Sequence, residues 1–318
     1  MLGLNNAYVI GFTVKRMAIT VTQLTAFLAV IRSGSVTAAA DELVVTQPSV
    51  SAAVAALGRE LGCELLERDG RGIRPTEAGR EFAAYATDVV GLLERGRQAA
   101  REAAEIAARR LRIAAVTTAG ESFVPPLMHS YGELYPDVEL SLLVANRQSV
   151  LDAVLSHATD IAITGRPPVD ERLITEPFHR NEIVCVTAPD DLLAASGGLV
   201  TSAALAERVW LLREQGSGTR QLNEQFLSEL GVETPTLTLG SNGAIKQAAR
   251  AGLGVSLLSR VAVEAELALG LLAELPLVDG PPTRPWYIVH SAVGPLRPAV
   301  AGFINFLNSS AVATGVPL

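Results

Sequence analysis

The sequence predicts a mixed α/β chain in three successive parts: a small helical module, one long helix and a two-lobed α/β domain. Three observations lead there. Between Ser35 and Leu61 two short helical patterns follow one another across a tight connection. After Thr76 apolar residues recur every seven positions, the period of a helix with one buried stripe. From Leu111 onward strand-like and helix-like segments alternate, as they do where helices cover a sheet. A chain of 318 residues has room for two or three domains, and with 49% hydrophobic residues it can fill their cores.

Residues 1–19 form a leader without a long apolar run, so they read as neither a membrane span nor a clean signal peptide. The leader is expected to be poorly ordered; a cleaved export signal is the competing reading. Thr22 to Ser33 then reads as a helix, with Leu24, Phe27, Leu28 and Ile31 on one face. Ser35 is a good N-cap for the Ala-rich run TAAADEL. The β-branched pair Val44-Val45 interrupts that run, Thr46 starts a second helix, and Pro48 falls in its first turn, where a missing N–H costs nothing. Val50, Val54, Leu57 and Leu61 make its buried face. The opposite side of the first turns carries Gln47, Ser49, Ser51 and Ala52, with no Lys or Glu to block close approach. A helix presented this way fits a DNA major groove N-terminus first. An ordinary helical hairpin shares the same periodicity.

GCELLERDGRGIRPT reads next as a turn-bearing loop. Leu65 and Leu66 anchor it, Asp69-Gly70 and Arg71-Gly72 turn it, and Arg68, Arg71 and Arg74 offer charge for phosphate or minor-groove contact. Thr76 caps the long helix, and Glu77 complements its positive end. Phe82, Val89, Gly96 and Ala103 interlock with Tyr85, Leu92, Ala99 and Ile106 as the two apolar positions of a heptad. Such a stripe on a helix leaving a small domain is expected to pair with a second chain; packing on its own domain is the alternative.

In the third part LRIAAV, VELSLLVAN, DIAIT and EIVCVTA read as strands separated by helices, which implies a parallel sheet. A second unit follows: a helix near 201–206, strand VWLLR, loop EQGSGTR, a helix to Leu230, strand TLTL, a helix from Asn242, strand VSLLS and a helix near 261–269. WYIVH and the helix 298–307 are expected to return to the first unit. Two loops carry sensor chemistry. Thr117-Thr118 ends the first strand and offers hydroxyls beside helix-terminal N–H groups. Ser217, Gly218, Thr219 and Arg220 link a strand to a helix in a glycine-bearing loop suited to an anion. Asn242 opens a third helix that could close the site, and Arg147 is a further candidate.

Composition narrows the alternatives. A net charge of −7 argues against a protein coated in basic charge for bulk nucleic-acid binding, though not against a small specific module. Cys63 and Cys185 sit beside apolar residues and are expected to be core residues in a reducing compartment. The four histidines make no metal-ligand spacing, and there is no G-x-S-x-G, H-E-x-x-H or P-loop, so neither an enzyme nor a cofactor is expected.

TAAADEL, followed by TQPSVSAAVAALGRELGCELLER and then by Arg74-Pro75-Thr76-Glu77-Ala78-Gly79, resembles the winged helix-turn-helix of LysR-type transcriptional regulators. The remaining length and layout match as well, so the resemblance covers nearly everything after Met17, which is itself an alternative start. LREQGSGTR with SNGAIKQAARAGLGVSLLSR is similar to the branch of RuBisCO-operon and cysteine-metabolism regulators, associated with small anionic metabolites.

The resemblance implies a winged helix-turn-helix at 20–76, a linker and dimerisation helix at 77–108, and a periplasmic-binding-protein-like effector domain at 109–318. Its lobes would span about 109–185 with 286–318, and about 186–285. It places Ser35, Thr37, Thr46, Gln47, Pro48, Ser49, Ser51, Arg68, Arg71 and Arg74 at DNA. Family members often carry Arg or Lys where Ala52 stands, so one polar contact is expected to be missing. The implied protein is cytoplasmic, a dimer or tetramer, with promoter DNA, a small anionic effector and RNA polymerase as partners and no membrane. The rivals are a two-lobed solute-binding protein or enzyme without DNA binding, and a ligand-free architectural DNA binder.

Overall fold

The computed structural model describes residues 19–70, 72–103, 109–278, 280–282 and 284–308. Residues 1–18 of the leader, Arg71, and the expected end of the long helix at 104–108, with Ile106, lie outside the described residues. The chain divides into two compact units between Glu94 and Arg95.

The first unit packs α1 (Val21–Ser33), α2 (Val36–Leu43) and α3 (Gln47–Leu61) against a hairpin of β1 (Leu66–Asp69) and β2 (Gly72–Pro75). Helix α4 (Glu77–Ala103) follows. Local chemistry sets the helix ends. Thr20 Oγ1 accepts from Gln23 N at 3.2 Å while Gln23 Oε1 accepts from Thr20 N at 2.7 Å, a reciprocal cap for α1. Ser35 caps α2, accepting from Ala38 N at 3.4 Å. Thr46 holds the N-cap position of α3, but its hydroxyl lies 2.8 Å from that of Ser49 and bonds no helix N–H. Val50 and Leu57 are fully buried, whereas Val54 and Leu61 are half-buried. Thr76 Oγ1 accepts from Gly79 N at 3.0 Å and donates to Glu64 O at 2.7 Å, which ties the start of α4 to the base of the hairpin. Gly79 is required there, because a Cβ would overlap the Leu65 carbonyl.

Two expectations are corrected in this unit. Phe82 does not sit on an outward stripe: its ring packs on Phe27 at a centroid distance of 5.8 Å, within a cluster that includes Leu24, Leu57 and Leu65. A helix leaving a small domain first has to cover that domain's core. The outward apolar residues are Tyr85, Val89 and Leu93, with Leu92 and Ala99 half-buried. Cys63 is exposed, since it follows the left-handed cap Gly62 that ends α3 and turns the chain outward; Cys185 is buried.

The second unit holds two lobes. The first is a five-stranded sheet in the order β4-β3-β5-β12-β6, made of β3 (Arg109–Val116), β4 (Val138–Ala145), β5 (Ile161–Thr164), β6 (Leu173–Asn181) and β12 (Arg284–Ser291). A π-helical turn (Ala119–Phe123) continuing into α5 (Val124–Leu134), then α6 (Arg147–Leu155) and α12 (Pro298–Leu307), cover it. Leu111, Ile113, Tyr131, Ile163, Trp286 and Phe303 fill one side, and Ala114, Val150, Val154 and Val289 the other. The expected all-parallel sheet is corrected: β3 is parallel to β4 and β5, but β12 is antiparallel to both β5 and β6. β12 returns from the other lobe and so runs the opposite way, a direction that hydrophobic patterning does not encode. β6 was not expected at all, because only its two end residues, Leu173 and Asn181, are buried.

In the second lobe β7 (Ile183–Thr187) lies between β10 (Ser256–Ser259) and β11 (Ala273–Leu275), antiparallel to both. β8 (Trp210–Arg213) and β9 (Thr236–Leu239) form a parallel pair, linked to β10's approach by a Trp210–Val255 bridge. Helices α7 (Leu192–Ala195), α8 (Ser202–Ala206), α9 (Gly218–Leu230), α10 (Asn242–Arg250) and α11 (Arg260–Ala268) surround these strands. The lobe boundary expected at residue 185 is therefore moved. β6 ends at Asn181 and β7 begins at Ile183, so the chain crosses between sheets at Glu182. Two strands separated by one residue look like a single run in sequence. The return strand likewise starts at Arg284 rather than 286.

Candidate functional site

Two polar surfaces stand out, one in each unit. In the first, α3 presents Gln47, Pro48, Ser49, Ser51 and Ala52 exposed, with Thr46 exposed just before them. Thr37 on α2 is exposed and Ser35 half-buried. Arg68 and Arg74 are exposed on the hairpin. Arg74 Nε bonds Glu67 at 2.9 Å, an exposed pair worth little and easily exchanged for a phosphate. The connection between α2 and α3 holds a feature that sequence reasoning passed over. Val44 caps α2 in the left-handed region at φ 55° and is 90% exposed.

In the second unit a cleft open to solvent lies between the lobes. Thr117 and Thr118 reach it from the end of β3, and Arg147 from the start of α6. Ser217, Gly218 and Thr219 reach it from the start of α9. Ser217 is the N-cap of α9; its Oγ accepts from Thr219 N at 3.2 Å and Arg220 N at 3.5 Å. Thr118 and Thr219 face each other from the two lobes, hydroxyls 3.4 Å apart. Asn242 does not line the cleft but stands behind it, donating from Nδ2 to Thr118 Oγ1 at 2.9 Å.

Arg220 is corrected. Its guanidinium turns away to Glu224 Oε1 at 2.7 Å, Arg213 O at 3.0 Å and Thr238 Oγ1 at 3.3 Å, so it braces α9 against β8 and β9. The helix turn that aims Ser217 and Thr219 inward points Arg220 outward.

The structure adds residues that the sequence did not reveal. Arg284 enters from β12 and donates to Gly218 O at 2.9 Å. Burial and the nearby Arg147 push its pKa down to about 10. Gly165 makes room for it, since any Cβ there would overlap the guanidinium. Burial also lowers the pKa of Arg147, whose guanidinium bonds Gln221 Oε1. Among the described residues neither arginine makes an ion pair with a carboxylate. Arg213, also in the lining, is different: it is 3% exposed and holds both oxygens of Glu214, at 2.7 and 2.8 Å. That pairing keeps the Glu214 carboxyl below its ordinary pKa despite its burial. Thr164 Oγ1, fully buried in the lining, has no hydrogen-bond partner. Two unpaired cations, several hydroxyls and an unpartnered buried hydroxyl make a cleft poised for an anion. Arg284 lies just before WYIVH, on the second-lobe side of the expected boundary, so nothing in the sequence signalled it in advance. Among the described residues no cluster of potential metal ligands occurs, and no helix is long and apolar enough to cross a membrane.

Residues 21–80 match the family model described as bacterial regulatory helix-turn-helix protein, lysR family, and residues 104–311 match that of the LysR substrate binding domain. A RuBisCO operon transcriptional regulator of Allochromatium vinosum is 36% identical over 93% of this chain and 97% of its own. The regulatory domain of CcmR from Synechocystis PCC6803, solved in complex with 2-PG, is 33% identical, with a TM-score of 0.60 over 66% of this chain and 99% of that one. A full-length OxyR variant from Pseudomonas aeruginosa shares the fold, with a TM-score of 0.70 at 24% identity over 93% and 96% of the two chains.

Proposed function

The chain belongs to the LysR family of transcriptional regulators, DNA-binding proteins with an effector-binding domain, and on that premise we propose that a small phosphorylated carboxylate in the cleft modulates its promoter binding. The observation that carries the reading is the pair Arg147 and Arg284, cations in the cleft with no carboxylate partner among the described residues. Burying two like charges costs free energy that an anion between them offsets. The Synechocystis relative's complex with 2-PG, 2-phosphoglycolate, supplies the ligand class. Thr117, Thr118, Ser217, Gly218 and Thr219 complete the anion site, with Asn242 as support.

DNA is read by Gln47, Pro48, Ser49 and Ser51 in the major groove. Ser35, Thr37 and Thr46 hold the backbone, and Arg68, Arg71 and Arg74 supply phosphate or minor-groove contacts. Tyr85, Val89 and Leu92 on α4, with Ala99 and Ile106 further along, pair two chains into a cytoplasmic dimer that assembles further into a tetramer and contacts RNA polymerase on the promoter. Calorimetric titration of the full chain with 2-phosphoglycolate, together with footprints of its promoter with and without that compound, tests the reading. Saturable binding and an altered footprint are expected; no binding, or binding that leaves the footprint unchanged, overturns it.

A further inference from the structure

The cleft's hydrogen-bond polarity is fixed from behind. Arginine has only donors, so Arg213 Nη1, 2.7 Å from Asn242, must face the carboxamide oxygen. The Asn242 amide nitrogen is then turned to Thr118 and donates to its hydroxyl oxygen at 2.9 Å. Thr118 thus accepts from the rear, and its own proton is left for the cleft, where Thr219 stands 3.4 Å away. Ser217 is arranged alike: its oxygen takes backbone N–H groups at the start of α9, which leaves its proton to turn outward.

The strong acceptors of the lining are consumed in the same way. Both Glu214 oxygens hold Arg213. Asn146 Oδ1 accepts from Ser149 N at 2.9 Å, Asn181 Oδ1 from the Ser259 hydroxyl, and the Gly218 carbonyl from Arg284. Toward the cleft these bonds leave cationic N–H from Arg147 and Arg284 and the hydroxyl protons of Thr118 and Ser217.

We propose that the cleft is specific for a fully deprotonated oxyanion head group and rejects its protonated form, with Asn242 and Arg213 as the positioning residues that set this polarity. This rests on the anion reading above and sharpens it. A head group carrying an O–H would set a donor against donors, and one hydrogen bond would be left unmade. The second ionisation of a phosphate monoester falls near pH 6, so such a ligand changes form within an accessible range. The charged groups facing the cleft are Arg147 from α6, Arg284 from β12, and Arg213 with Glu214 at the end of β8; none of the lining residues is a histidine. Glu214, its pKa lowered, stays ionised as the ligand titrates.

The test is calorimetric titration of the full chain with two probes, sodium sulfate and 2-phosphoglycolate, at about pH 8 and about pH 5. Sulfate remains a dianion at both. The expected result is phosphoglycolate affinity roughly tenfold weaker at the lower pH, following its ionisation, with sulfate changed less than about twofold. Phosphoglycolate bound equally at both pH values overturns the proposal. So does a parallel loss of sulfate, which would mean that the protein titrates. Failure of both probes to bind at either pH overturns the anion reading itself, and this inference with it.

Two variants isolate the positioning role. Asn242→Asp keeps an acceptor for Arg213 but draws the Thr118 proton backward. It should weaken both probes about tenfold at the higher pH and bring the phosphoglycolate pH ratio close to one. Thr118→Ser keeps the hydroxyl and should retain the wild-type ratio. If Asn242→Asp weakens binding but leaves the ratio at its wild-type value, Asn242 is only structural and the proposal fails.

Discussion

The exposed polar face of α3 and the cleft between the lobes are both built largely from small polar side chains, kept in order by opposite means. Gln47, Ser49 and Ser51 are exposed and, apart from the Thr46–Ser49 contact, need no internal partner, because water satisfies them until a partner displaces it. Thr118, Ser217, Asn242 and Arg213 are each at most 8% exposed and are held by fixed hydrogen bonds from several elements. An exposed surface specifies by its own sequence. A buried site specifies through the groups behind it, because an unpaired polar group there costs about 1–3 kcal/mol. Function at the two places should therefore fail separately, and the sharpest tests aim at that separation.

The largest effect is expected from Val89→Asp. Val89 is 50% exposed on α4, beside Tyr85 at 69% and Leu93 at 47%, so the charge has water to enter in a single chain but not in a paired one. Operator affinity should fall by roughly 10²–10⁴ as two half-sites lose their joint occupant, while anion binding in the second unit stays intact. Unchanged mass by light scattering would show that the stripe does not pair chains.

Arg284→Met is the converse experiment. It removes a charge-assisted contact worth about 1.5–3 kcal/mol, so anion affinity should drop roughly 10- to 150-fold. Thermal stability should hold or rise, since a buried cation without a carboxylate partner is replaced by an apolar chain of similar reach. Ligand-free operator binding should be unaltered. A variant that binds anion normally would remove Arg284 from the site; one that loses operator binding would break the separation.

That contrast also explains what the sequence made legible. The α3 face is contiguous: Ser35 to Arg74 carries its caps, turn and exposed residues in one stretch, so spacing laid out the elements, and only the resemblance assigned them to DNA. The cleft is assembled from β3, α6, β5, β6, β7, β8, α9, β10 and β12. Thr118 and Ser217 were visible because each stands where a strand meets a helix. Arg284 was not, because it stands just ahead of the apolar run WYIVH, where hydrophobic patterning marks neither the strand's start nor the lobe it enters. Arg220 was misassigned for the same reason, as adjacency to Ser217 says nothing of which side of α9 a residue takes. Strand existence was largely legible from apolar runs, but strand direction and partner were not. The moved boundary at Glu182 and the antiparallel β12 follow from that.

Gln47→Ala probes the exposed surface with a smaller change. Losing one base-edge contact should cost about 1–3 kcal/mol and relax preference at a single operator position. The folded state should be unaffected, because an exposed side chain leaves nothing unpaired behind. Competition against operators randomised one position at a time reads this directly, and an unchanged profile would place base reading elsewhere.

The smallest effect concerns Val44, where the exposed surface departs from its own rule. A β-branched residue in the left-handed region is strained by roughly 1–2 kcal/mol, and Asn tolerates that conformation far better. At 90% exposure Val44 recovers nothing through packing within its own unit. If the turn between α2 and α3 serves only to set the angle of the reading helix, Val44→Asn should stabilise the DNA-binding unit by about 0.5–1 kcal/mol. Its unfolding midpoint should then rise by roughly 2–8 °C, with operator affinity unchanged. The strained valine would be a relic of tolerance. If the variant is more stable yet binds its operator several-fold more weakly, the side chain is held in that conformation to meet DNA. The exposed surface would then hold a strained residue in place for function, as proposed for the cleft and its two arginines, and the two regions would differ less in kind than in how many neighbours are recruited.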